Sequence, residues 1–126
     1  MKVYDVHVHS NGLLDGRRTL ERMARAGVSG GSVFSLHPGF YTSLGAHDTD
    51  GRTRLNMVLE SCRGCEGRLF PVLWIHPDEE DLSGLIAEAA GRGIAAFKCI
   101  CNDFCIGDEK GVRMLEAVAK NIPTQS

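Results

Sequence analysis

Along this chain the spacing of apolar positions switches from period two to helical spacing four times, each switch marked by a polar or glycine-containing stretch. Lys2 to His9 is a β-branched run of strand type, and Leu20, Met23 and Ala24 then fall at i, i+3 and i+4, in a helix predicted to end near Gly27. Gly31 to Leu36 reads as a second strand. A long polar loop from His37 to Arg52 follows, then a helical stripe of Leu55, Val58, Leu59 and Cys62. Arg68 to Ile75 reads as the third strand, with Pro71 early in the run, where a missing amide donor is best tolerated. Asp78 to Asp81 are expected to supply acidic first-turn residues to a helix carrying Leu82, Leu85, Ile86 and Ala89. Ile94 to Ile100 is the fourth strand, and a last helix from about Asp108 to Lys120 presents Val112, Leu115, Val118 and Ala119.

An internal echo accompanies the pattern. Gly27, Gly93 and Asn121 each stand between a helix and a new apolar run, where a left-handed cap is wanted, and two strands end alike in Leu36-His37-Pro38 and Ile75-His76-Pro77. Repeated βα units with nearly continuous apolar strands predict a parallel sheet covered by helices, either doubly wound or a barrel. Ile122-Pro123 stands where a fifth strand would start. Because an eight-stranded barrel takes roughly 250 residues, the expectation is one partial domain over residues 1–126. That domain is the (β/α)4 half of a TIM barrel, cut short before strand 5.

Composition narrows the class. The 126 residues are 43% apolar with a formal net charge of −2, which gives no basic footprint for nucleic acid. The longest apolar runs, Leu69 to Ile75 and Ile94 to Phe97, are far short of the roughly 20 residues of a membrane span. With no leader-like segment at the start, a cytoplasmic location is expected. The five cysteines are an odd number, which suits free thiols in a reducing compartment better than a disulfide framework. A rival reading joins Cys62 and Cys65 with two of Cys99, Cys101 and Cys105 in a structural zinc site, although the spacings match no standard ribbon.

The candidate chemistry begins at the end of the first strand. Simple alternation puts Val3, Asp5, His7 and His9 on one face and Tyr4, Val6 and Val8 on the other. Two imidazoles at i and i+2 can reach one metal ion without distorting the strand. Lys98 is a charge inside an apolar strand, expected at the mouth of the fold or paired. His76 and His37 follow strand ends, where barrel enzymes gather their active sites. His47, in the polar loop, is expected to be solvated, Asp5 to support His7 from one pleat below, and Trp74 to pack in the core toward the helices or a neighbouring strand.

Asp5-x-His7-x-His9, the His76-Pro77 after the third strand and the βα repeat together resemble the amidohydrolase superfamily, in particular its amidohydrolase-2 branch of metal-dependent hydrolases and decarboxylases. The resemblance runs over the N-terminal half of such a fold. It implies that His7 and His9 bind a divalent ion, with zinc expected first and manganese or iron as alternatives, and that His76, Lys98 and His37 contact a small-molecule substrate. In some branches a fourth-strand lysine is carboxylated and bridges two metals. The family's remaining ligands come from later strands, so this short chain is expected to bind metal weakly unless another chain completes the site. TatD-like DNases share the first-strand motif but place a glutamate where Phe97-Lys98-Cys99 stands here. The polymerase-and-histidinol-phosphatase family expects Thr-Asp-His where Phe34-Ser35-Leu36-His37 stands. A catalytically silent assembly module is the alternative from another class, and exposed half-barrel edges predict pairing of two copies.

Overall fold

The computed structural model describes residues 1–9, 15–39, 41, 44 and 49–121. His47 and the expected fifth-strand start at Ile122-Pro123 lie outside them. Four βα units follow one another: β1 (Tyr4–His9), α1 (Gly16–Arg25), β2 (Gly30–Phe34), α2 (Gly51–Cys62), β3 (Leu69–Trp74), α3 (Leu82–Gly91), β4 (Ala96–Lys98) and α4 (Glu109–Asn121). The strands pair in parallel in the order β1-β2-β3-β4. A doubly wound sheet reverses its strand order at a switch point. Here every crossover advances by one strand, and each helix packs on the next, α1 on α2, α2 on α3 and α3 on α4. One face of the sheet therefore carries the helices, and among the described residues the other has no helical layer.

Local chemistry accounts for the element boundaries. Asp15 caps α1 by accepting the Arg18 N–H at 2.9 Å, and Asp50 caps α2 by accepting the Thr53 N–H at 2.7 Å. Gly27 and Gly93, at φ 76° and 96°, turn the chain out of α1 and α3 in the left-handed region. The expectation for α3 was wrong in one respect. Asp78 to Asp81 form the turn ahead of the helix rather than its first turn, because His76 and Glu79 organise that turn and Asp81 sits at φ 50°.

Pro71 lies in a central strand, where proline is normally excluded. Its carbonyl accepts from Ala95 on the β4 side, so its imide faces a level that β4 has not yet reached, and no ladder bond is lost.

Two apolar clusters lie between sheet and helices. One holds Leu55, Leu73, Ile75, Leu85, Ile86, Ala89, Phe104 and Met114, and the other Leu20, Val33, Val58, Cys62, Cys65 and Leu69. Each fully buried Leu or Ile contributes about 1.5–3 kcal/mol. Cys62 and Cys65 belong to the second cluster, while Cys99 packs on the first, so the rival zinc grouping does not assemble. All five cysteines are free thiols.

Simple alternation also fails along β1. The register pairs Asp5 with Gly31 but Val8 with Val33, so one extra residue is accommodated in β1 between them. Asp5 and Val8 consequently share a parity with Val33 and the helix side, while His9 pairs with Phe34 on the opposite face. Asp5 is thus not a pleat below His7 on a common face. Its carboxylate instead accepts the His7 N–H at 2.9 Å.

Candidate functional site

The C-terminal ends of all four strands bring side chains together on the helix-free face. His7 and His9 project there from β1, both exposed, with their Nε2 atoms 2.9 Å apart and their rings against Phe34 of β2. Trp74 of β3 is buried beside His9. Its register partner Lys98, on β4, lays its Nζ 4.1 Å from the Trp74 ring centroid and 4.8 Å from that of Phe34. Trp74 is buried, as expected of a core residue, and of its two expected neighbours it meets the adjacent strand and not the helices: it pairs with Lys98, one step out of phase with Leu73 and Ile75, which take the helix side.

Lys98 Nζ also reaches to 3.2 Å from His7 Nε2. Partial burial, and then the neighbouring His7 and Lys98, hold the His9 imidazole below its usual pKa. Burial likewise lowers that of the Lys98 ammonium. Three nitrogens are thus crowded together, and those of His9 and Lys98 are biased toward neutrality. The single in-plane site of His7 Nε2 cannot serve both neighbours well. A shared cation would accept lone pairs from more than one of them.

The distance is of the right size for such an ion. Two imidazole nitrogens bound at about 2.0–2.1 Å, at angles between square and tetrahedral, stand about 2.9–3.4 Å apart. The His7–His9 pair fits two positions of a coordination shell. Among the described residues no group of three His, Cys, Asp or Glu side chains converges.

The two other predicted histidines sit near the cluster but are engaged. His37 places Nδ1 2.8 Å from the Pro38 carbonyl and Nε2 3.1 Å from the Leu44 carbonyl, with its ring edge-on to Trp74. His76 is buried, its Nδ1 accepting the Asp78 N–H at 3.1 Å and its Nε2 2.9 Å from Asp103 Oδ2, which fixes Nε2 as the protonated nitrogen. Tyr41 and Phe104 enclose the His76 ring edge-on. His76 is therefore a strut between the β3 exit and the segment after β4.

Sequence reasoning missed three participants. Tyr41 bridges to that segment by donating to the Ile100 carbonyl at 2.9 Å while accepting the Ile100 N–H at 3.2 Å. Burial raises the Tyr41 phenol's pKa and keeps it protonated for that role. Phe34 and Asp103 were also passed over. The alternation of β2 could have placed Phe34 on the site face, but nothing local marks Tyr41 or Asp103, which lie in loops 59 and 27 residues from their partners.

No family model matches this chain, and searches of curated proteins and of solved structures found no match either.

Proposed function

We propose that this chain carries the metal-binding half of an amidohydrolase-type hydrolase, with its βα units corresponding to four of the eight in a TIM barrel. The 2.9 Å separation of His7 and His9 Nε2 at the strand C-terminal ends carries the proposal. His7 and His9 hold a divalent ion, zinc first by ligand type, with manganese or iron as alternatives. When bound, such an ion polarises a scissile carbonyl or phosphoryl oxygen and acidifies water.

The chain's own residues do the rest. Lys98 presents a cationic donor beside the His pair to orient a polar oxygen of a small substrate, and Phe34 and Trp74 form an aromatic floor that excludes water beneath it. His37 lies at the rim against Trp74. His76 acts from behind, holding the segment after Lys98 through Asp103. Free cysteines suit a reducing, cytoplasmic setting, and among the described residues no helix is long and apolar enough to cross a membrane.

Lys98 favours this reading over a TatD-like phosphoesterase, which asks for an acidic ligand at that place. A non-catalytic module is the second reading, favoured by the sheet face without helices. Zinc-loaded chain assayed on a panel of amides, esters and phosphoesters, beside the His7→Ala, His9→Ala double variant, separates them. Hydrolysis that requires both histidines supports the hydrolase. Turnover equal in both proteins, or in neither, overturns it.

A further inference from the structure

The exposed large apolar side chains are not scattered. Apart from Met1 and Leu44, they fall at the two ends of the sheet and on the face between: Val3, Tyr4 and Val6 at β1, Phe70 on β3, and Ile106, Val112 and Leu115 at α4. On α4, Val112, Leu115 and Ala119 form an exposed stripe at i, i+3 and i+7, separate from the stripe that buries Gly111 and Met114. The same two ends carry the open backbone edges, since β1 pairs only with β2 and β4 only with β3 among the described residues.

We propose that these surfaces bind a second copy of this chain, the β4 edge of each copy pairing with the β1 edge of the other, so that two copies close an eight-stranded parallel barrel about a two-fold axis along the strands. Rotation about such an axis preserves strand direction, which the parallel edge of β4 requires. Closure removes both edges and covers the second face, as parallel sheets ordinarily demand.

Charge agrees with this occupant. Closure sets α4 of one copy beside α1 of the other. Exposed Arg18, Arg22 and Arg25 of α1 have no ion pair among the described residues, and neither does Glu116, next to the α4 stripe. The His7–His9–Lys98 clusters of both copies would then open into one interior at the same end. The inference goes beyond the proposed activity and rests on the sheet edges and the exposed surfaces beside them.

Sedimentation velocity at micromolar concentration tests it, with Val6→Arg on the β1 side and Leu115→Glu on the α4 side. Both sites are exposed, and far-UV circular dichroism checks that each variant keeps its fold. The wild type should sediment at about 27 kDa, twice the 13.7 kDa chain, and each variant alone at 13.7 kDa. An equimolar mixture of the two should return to the dimer, because one seam is then unaltered and the other pairs opposite charges. A monomeric wild type, a wild-type dimer that both variants leave intact, or a mixture that stays monomeric overturns the proposal.

Discussion

Lys98 on the last strand stands 3.2 Å from the imidazole of His7 on the first, spanning two intervening strands with its ammonium over the Trp74 and Phe34 rings. Because burial lowers the Lys98 pKa, its ammonium is held at a cost. Between the folded value and the ordinary 10.5 the unfolded chain binds the extra proton, so that cost is full below the window and fades as pH rises through it. Lys98→Met should therefore melt higher than the wild type at neutral pH, with the gap narrowing toward pH 10.5. Thermal melts across that range check it, and a gap that widens with pH contradicts it.

Glu79 gathers the turn after β3 by accepting from Arg54 on α2 and from the His76 N–H. The Arg54 and Glu79 side chains are 2% and 5% exposed. Glu79→Ala leaves a buried guanidinium without its counter-charge and should cost about 3–5 kcal/mol by urea denaturation. Replacing both partners with Leu should cost less than the single change.

Thiol reactivity should divide the cysteines. Burial pushes the Cys62 thiol up to about 12 and raises that of Cys65, whereas Cys101 and Cys105 are exposed. At mildly alkaline pH iodoacetamide should label Cys101 and Cys105 in the native protein and reach Cys62 only on denaturation. Peptide mass mapping reads this directly, and rapid native labelling of Cys62 would count against the packing.

Tyr41→Phe removes a hydroxyl that both donates to and accepts from Ile100. A loss of about 1 kcal/mol is expected, together with faster amide exchange in residues 99–108. Unchanged exchange there would show that Tyr41 does not hold the segment.

The βα repeat was legible because each helix carries its own period, and the ends of α1 and α3 because Gly27 and Gly93 act locally. The His7–His9 pair was legible for the same reason, both residues lying on one strand. The extra residue in β1 was not, since it depends on how Gly31 meets the backbone of Asp5. The side Trp74 takes was left open between the helices and a neighbouring strand, because a continuously apolar strand shows no alternation from which to read its face. Asp103, Tyr41 and the buried Arg54–Glu79 pair join loops and helices far apart in the chain, and only the fold brings them together.

The most direct test of the account is zinc bound by the purified chain, measured by elemental analysis and by calorimetric titration for the wild type and the His7→Ala, His9→Ala double variant. Both positions are exposed, so the variant should keep its fold. The account predicts zinc binding in the wild type that weakens as acid protonates the imidazoles, and its loss in the variant. Equal zinc in both proteins, or none in either, would contradict the assignment of His7 and His9 as metal ligands.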